Sequence, residues 1–91
     1  MSEKRFVVRF LGKTEKRLEK VPSRIQIKFR HLVMDLSLTG PMQPRWPNFS
    51  KLGKDEYHCH LSRSWVACWK HDKNTVIIEV TYVGSRQNPP Y

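Results

Sequence analysis

The sequence predicts a small α+β domain in which one strand and one or two helices precede a three-stranded meander. Three observations support this class: alternating apolar residues near the N-terminus, an apolar stripe at helical spacing over residues 23–38, and β-branched and aromatic segments from residue 57 onward. The chain has 91 residues, so we expect residues 1–91 to form a single domain.

The first third of the chain is expected to form a strand and a short helix before a second helix begins. Residues 5–11 alternate in the manner of a strand, and the polar residues 14–20 indicate a short solvated helix that ends before Pro22. Ser23 and Gln26 have capping-box spacing, so we expect Ser23 to accept from the Gln26 amide while the Gln26 side chain reaches back.

The second predicted helix spans residues 23–38 and has one apolar face. Its apolar positions recur at i, i+4, i+7 and i+11, which places them on one side of a helix. They are Ile25, Phe29, Leu32 and Leu36. We interpret this stripe as core packing rather than as a groove for a partner.

The second half of the chain predicts three strands after a loop. Residues 39–48 contain one glycine and three prolines, which indicates a loop. Strands are then predicted at residues 57–61, 65–70 and 75–84, with turns at 62–64 and 71–74.

The charge of the chain predicts a polyanionic partner. Lys and Arg total 17 against 8 Asp and Glu, which gives a formal net charge of +9. These cations are spread among apolar positions, so we expect a folded basic surface rather than a basic tail. Nucleic acid is the first expectation, ahead of an anionic membrane or an acidic protein.

The location of the protein is expected to be cytoplasmic, without a membrane partner. No apolar run approaches the roughly 18 residues of a membrane span, and the N-terminal segment does not resemble a secretory signal. Cys59 and Cys68 are too few for a disulfide framework, so we expect two buried, reduced thiols.

His58 and His60 are the sharpest candidates for chemistry. Two residues apart on a strand, they share a face opposite Tyr57, Cys59 and Leu61, and so should face solvent or a cleft. Imidazoles with a pKa near 6.5 suit acid–base chemistry on a phosphodiester. The alternative is a pair of surface histidines without a function.

A metal or cofactor is not expected. The histidines face away from Cys59, no C-x-x-C pair exists, and no carboxylate stands at ligand spacing, so we predict no zinc site.

Arg86, just beyond the last predicted strand, could bind a phosphate with the several N–H donors of its guanidinium group. Trp46, in the proline loop, and Tyr91 are the aromatic residues most expected to be exposed and to stack bases.

The stretch from Trp46 to Tyr91 resembles the RelE/ParE superfamily of bacterial toxins from type II toxin–antitoxin modules. Within it, WPNFSKLGKDEYHCHL is similar to the RelE-like branch of cytotoxic translational repressors. The resemblance implies a RelE-like, microbial-ribonuclease-like fold of order β-α-α-β-β-β, with two helices packed on one side of a twisted antiparallel sheet. It also implies ribosome-dependent mRNA cleavage, a cognate antitoxin, and operator DNA as a ligand of the toxin–antitoxin complex.

Some positions match this resemblance residue by residue. His58 and His60 match basic residues on the first strand of the meander, and Arg86 matches an arginine in a Gly-x-Arg turn. Tyr91 matches a C-terminal aromatic residue, one position from the expected spacing. Two positions depart from the family pattern: Val66 stands where the ribosome-dependent prototype has an arginine, and Ser64 where a histidine-rich branch has an aspartate.

The resulting hypothesis is metal-independent cleavage in which the RNA 2′-hydroxyl is the nucleophile and a 2′,3′-cyclic phosphate is the product. Its catalytic residues are His58, His60, Arg86 and Tyr91. Its nucleic-acid-binding residues are Lys51, Lys54, Arg63 and Trp46. The alternatives are a ParE-like poison of DNA gyrase, which needs no catalytic histidine, and a non-catalytic nucleic-acid-binding module.

Overall fold

Two helices pack against a five-stranded mixed sheet. The computed structural model describes residues 5–87. Its elements are β1 (Val7–Phe10), α1 (Gly12–Glu19), α2 (Ser23–Thr39), β2 (Ser50–Gly53), β3 (Glu56–His60), β4 (Trp65–His71) and β5 (Ile77–Ser85). The strand order in the sheet is β1-β5-β4-β3-β2. The predicted α+β class is confirmed.

The sheet differs from the expected one in two details. It is mixed rather than antiparallel throughout, because β1 runs parallel to β5. It also contains an additional strand, β2, in a segment without strand-like alternation, so the order is β-α-α-β-β-β-β. β2 is an edge strand that pairs with β3 through Ser50 and Lys51, and a register shift follows before Gly53.

The core lies between α2 and the sheet, as the apolar stripe predicts. Ile25, Phe29, Leu32 and Leu36 are each at most 2% exposed, and they belong to one cluster with the inward side chains of β3, β4 and β5. Burying each such side chain contributes roughly 1.5–3 kcal/mol. In the described part of the chain, neither helix is long and apolar enough to cross a membrane.

The predicted capping box is wrong. Pro22, not Ser23, stands at the N-cap of α2, and the Gln26 N–H donates to the Pro22 carbonyl at 3.0 Å. The Gln26 side chain points to the preceding helix instead, where its Nε2 donates to the carbonyls of Leu18 at 3.0 Å and Val21 at 2.8 Å. This amide therefore ties the end of α1 to the start of α2.

Candidate active site

The candidate site lies on the face of the sheet that points away from the core, which we call the open face. Directly paired residues share a face, so the strand register defines rows across β3, β4 and β5. One row consists of His58, Cys68 and Tyr82, and the next of His60, Val66 and Gly84. Both histidines thus lie opposite the core side, as predicted.

The residues in the middle of these rows are mostly apolar and are buried from solvent. Val66, Cys68 and Tyr82 form a second, smaller buried cluster beneath the open face. Burial, with a smaller contribution from the charge of Glu56, raises the pKa of the Cys68 thiol to about 12. Burial likewise raises the pKa of Cys59 to about 12. Both cysteines are free and buried, as expected, and both stay protonated at neutral pH, which makes them poor nucleophiles.

The two histidines differ in their surroundings. His58 is 9% exposed, with its Nδ1 2.9 Å from the Ser50 Oγ, whereas His60 is half-buried, with its Nδ1 3.2 Å from the Asn48 Nδ2. Their ring centroids are 5.9 Å apart. Burial lowers the pKa of His58; a hydrogen bond that the ring donates to the Ser50 backbone opposes this effect, and the nearby His60 lowers the pKa a little further. His58 is therefore largely neutral at pH 7.

Arg86 lies at the same end of the open face as His60. Its backbone N–H donates to the Ser64 carbonyl at 2.9 Å, and its Nη1 donates to the Arg63 carbonyl at 3.3 Å. His60 and Gly84 are separated by two strand spacings, roughly 10 Å, and Arg86 follows Gly84 by two residues. The register thus places His60, Arg63 and Arg86 at one end of the sheet, with His58 in the next row along β3.

Gly84 is required by the packing of this end. A Cβ at Gly84 would lie 2.9 Å from the Tyr82 Oη and 3.0 Å from its Cζ. The Tyr82 hydroxyl donates to the Ser85 carbonyl at 2.8 Å, and the Arg17 guanidinium lies 5.1 Å from the Tyr82 ring centroid. Only glycine lets the Tyr82 ring cover the strand just before Arg86.

The other predicted binding residues lie elsewhere. Lys51 pairs with the core-facing Tyr57 and so belongs to the opposite face, and Lys54 lies in the turn at the far end of β3. Trp46, expected to be exposed, is half-buried against the core, where its Nε1 donates to the Asp35 Oδ2 at 2.9 Å. Tyr91 lies outside the described residues.

A cationic region lies beside the site, and of its members only Arg63 was predicted to bind nucleic acid. Two clefts flank the half-buried Trp65, and neither is lined by an acidic side chain. Their cations are Arg17 and Lys20 on one side and Arg24, Lys28 and Arg63 on the other. Within residues 5–87 none of these five forms an ion pair. We call these five residues the cationic cleft. The i+3 spacing of Arg17 and Lys20 and the i+4 spacing of Arg24 and Lys28 were the sequence signals that could have indicated it.

Metal-binding potential is low in the part of the chain that the structure covers. No group of three or more His, Cys, Asp or Glu side chains there is placed to hold a metal ion. The Nε2 of His71 contacts the Thr75 carbonyl at 3.0 Å. The absence of zinc stays a prediction.

Comparison with known proteins gives a likeness in structure only. No family model matches the sequence, and no curated protein sequence matches it. The archaeal RelE–RelB complex from Pyrococcus horikoshii OT3 contains a similar chain, with a TM-score of 0.74, 12% identity, and coverage of 93% of this chain and 99% of that one. The toxin–antitoxin complex DinJ–YafQ from E. coli contains a chain with a TM-score of 0.73 and 15% identity, and the match covers 91% of this chain and 94% of that one. A metal-bound toxin from Helicobacter pylori has a TM-score of 0.70 and 18% identity, and the match covers 90% of this chain and 96% of that one.

These neighbours cover nearly the whole of both chains, at identities too low for sequence comparison to detect. They include RelE and YafQ proteins. The likeness confirms the resemblance that the sequence indicates: this chain has the fold of the RelE-like toxins of type II toxin–antitoxin modules.

Proposed function

We propose that the protein is a toxin that cleaves mRNA on the ribosome in the cytoplasm and is neutralised by a cognate antitoxin. The observation that supports this function best is that His58 and His60 share the open face, with His60 at the end of the sheet where Arg86 lies. The cationic cleft beside them supplies a surface for an RNA backbone. The RelE-like fold supports the toxin role.

The proposed chemistry is an in-line attack by the RNA 2′-oxygen. Neutral His58 takes the 2′-hydroxyl proton, the bond from the 2′-oxygen to phosphorus forms, and the bond from phosphorus to the 5′-oxygen breaks. Arg86 stabilises the dianionic phosphorane, and His60 in its protonated form gives its proton to the leaving 5′-oxygen. Each acid or base contributes about 10²–10⁴-fold, and the ribosome orients the mRNA for attack.

RNA binding is assigned chiefly to Arg63 and the rest of the cationic cleft. Unpaired Lys and Arg side chains bind phosphates and release the counterions around them, so this binding should weaken as salt rises. Trp65, between the two clefts, offers an aromatic edge to a base. Lys51, Lys54 and Trp46 stay predicted contacts away from this end, and Tyr91 stays a predicted stacking or proton-donating group.

The cognate antitoxin is proposed to bind through an acidic or amphipathic segment. Two of the neighbouring structures are toxins in complex with their antitoxins. Arg24, Lys28 and Arg30 are exposed on α2 and would attract such a segment. Association measured from low to high salt should slow steeply, and an on-rate independent of ionic strength would contradict electrostatic docking. Operator DNA is proposed as a ligand of the complex.

The experiment that tests the function is primer extension on cellular mRNA after induction. The wild-type chain should produce discrete cleavage sites within translated regions. His60→Ala and Arg86→Ala should produce none at equal expression, whereas His31→Ala, an exposed histidine on α2, should behave as wild type. Growth inhibition with intact mRNA and broken DNA would instead identify a gyrase poison. Nucleic-acid binding without inhibition would identify a non-catalytic module.

A further inference from the structure

Both polar groups of the peptide that joins Ser85 to Arg86 are hydrogen-bonded. The Ser85 carbonyl accepts from the Tyr82 hydroxyl at 2.8 Å, and the Arg86 N–H donates to the Ser64 carbonyl at 2.9 Å. The Arg86 side chain has a further contact, because its Nη1 donates to the Arg63 carbonyl at 3.3 Å. The backbone that leads into Arg86 is therefore held from two directions, at the point where β5 ends.

A break in the strand register places Tyr82 on the open face. Val80 pairs with Trp69 and Tyr82 pairs with Cys68, so Thr81 is an additional residue between two adjacent pairs. Such a bulge reverses the alternation of side chains along a strand. Val80 consequently belongs to the core, whereas Tyr82 belongs to the small cluster on the other face of the sheet.

The Tyr82 side chain is fixed in the position from which it donates. It is 5% exposed and lies against Gly84, where a Cβ would be 2.9 Å from the Tyr82 Oη. The Arg17 guanidinium lies 5.1 Å from the ring centroid. Burial raises the pKa of Tyr82 and the charge of Arg17 opposes this effect only in part, so the hydroxyl is protonated at neutral pH. The ring thus forms a rigid support for the peptide before Arg86.

We propose that Tyr82 is a positioning residue whose hydroxyl holds the Ser85–Arg86 peptide, so that the Arg86 guanidinium extends from a fixed backbone. A guanidinium has five N–H donors and the contact with Arg63 uses one of them, so donors remain for a phosphate. The catalytic meaning rests on the proposed function, in which Arg86 stabilises the phosphorane. A displacement of about 1 Å at such a group can cost roughly 10²-fold in rate, so a hydroxyl that touches no substrate still affects cleavage.

The first test follows the peptide itself and needs no activity. Tyr82→Phe removes one oxygen and keeps the ring. Exchange of the Arg86 amide hydrogen should become about two- to tenfold faster, the factor that corresponds to the net contribution of one hydrogen bond. The His60 amide, which donates to the Pro47 carbonyl at 2.8 Å, should exchange at the wild-type rate. Unchanged exchange at Arg86, or equal acceleration at both amides, would overturn the proposal.

The second test is a double-mutant cycle, which asks whether Tyr82 acts through Arg86. In single-turnover cleavage of ribosome-bound mRNA, Tyr82→Phe should reduce the maximal rate by roughly tenfold without changing the half-saturating concentration, because Arg86 acts in the transition state. In the Arg86→Ala background, Tyr82→Phe should have no further effect. Tyr57→Phe, the same change at a buried ring stacked on Phe49 in the core, should leave the rate unchanged in both backgrounds.

The two tests distinguish failure of this proposal from failure of the proposed function. An equal loss from Tyr82→Phe in both backgrounds would reduce Tyr82 to a structural residue, and no loss in either would remove its role in cleavage; both results contradict the proposal. A wild-type chain that cleaves no RNA, yet shows faster Arg86 exchange in Tyr82→Phe, would overturn the proposed function while the support of this peptide by Tyr82 stands.

Discussion

Among residues 5–87, clusters of cations line clefts at two ends of the sheet, and they differ in whether acidic side chains lie beside them. The cationic cleft lies beside His60 and Arg86 and is lined by no acidic side chain. At the other end of the sheet is a second groove, which we call the balanced groove. Its cations are Arg9, Lys54, Lys70 and Lys73, and its acids are Asp55, Glu56, Asp72 and Glu79. Arg9 and Glu79 form an ion pair at 3.4 Å.

The difference shows that a net charge of +9 does not by itself locate a binding surface. An exposed ion pair adds at most about 1 kcal/mol to stability, yet it neutralises the field that a phosphate would meet. Because no acidic side chain lines the cationic cleft, its positive field is not neutralised in this way. The partner is therefore expected at the cleft, although both ends contain several lysines and arginines.

The largest expected effect is a difference in RNA cleavage between a variant at the cationic-cleft end and a variant in the balanced groove. Arg86→Ala should reduce RNA cleavage by about 10²–10³-fold, because a group that stabilises the phosphorane is removed. Lys70→Ala in the balanced groove removes the same charge and should leave the rate near wild type. Single-turnover rates on ribosome-bound mRNA provide the measurement. An Arg86→Ala variant as toxic as wild type at equal expression would show that the site is elsewhere.

A matched pair of triple variants compares the two ends in RNA binding. Replacing Lys20, Arg24 and Lys28 by Gln should reduce the slope of log affinity against log salt by about 2, since each phosphate contact on single strands contributes roughly 0.7. The control replaces Lys54, Lys70 and Lys73 by Gln, with the same loss of charge. Equal slopes in the two variants would mean that only overall charge matters.

Glycine substitutions compare a packed position with an open one. Gly84→Ala should lower the free energy of unfolding by about 1–3 kcal/mol, because the new Cβ forces the Tyr82 ring away. Gly12→Ala is the control, since a Cβ there meets no atom within 4 Å. Urea denaturation of both variants gives the comparison. A Gly84→Ala variant as stable as Gly12→Ala would show that the Tyr82 ring moves without cost.

A smaller effect concerns pH and His58. The pKa of His58 is lowered in the folded state, so the unfolded chain binds this proton more readily and stability falls as pH drops through about 6.5. His58→Gln should reduce this dependence, whereas His31→Gln on the exposed face of α2 should not. Unfolding free energies at pH 7.5 and 5.5 provide the test; identical pH dependence in wild type and His58→Gln would contradict it.

No effect is expected from metal removal. Untagged protein should contain well under one equivalent of zinc, and chelation should not change its melting temperature. One tightly held equivalent would contradict the metal-free mechanism, and the metal-bound toxin from Helicobacter pylori makes the measurement worthwhile.

The accuracy of sequence-based prediction here followed how local each signal was. The stripe from Ile25 to Leu36 predicted both a helix and its buried face, because helical spacing is visible within the segment itself. β2 has no such signal, since its mostly exposed residues form a strand only by pairing with β3. The capping box failed because Pro22 provides the helix start and Gln26 finds better acceptors on α1.

The candidate site divides in the same way. Alternation along β3 predicted that His58 and His60 share a face, and the turn after β5 predicted an exposed Arg86. The contacts of Asn48 and Ser50 with the rings depend on where a proline-containing loop packs, which no pattern in the sequence specifies. The cationic cleft likewise depends on the meeting of α1, α2 and the β3–β4 loop.

The parallel pairing of β1 with β5 has a consequence for the timing of folding. Val7 pairs with Ile77, about seventy positions later in the chain, so closing the sheet requires a contact between distant segments. Loop-closure entropy must be overcome before such a contact forms, which slows folding. During synthesis β1 therefore lacks its pairing strand until β5 has been made. Arg86 follows directly after β5 in the chain. A nascent chain thus has neither a closed sheet nor Arg86 until the segment that contains β5 and the turn after it has been synthesised.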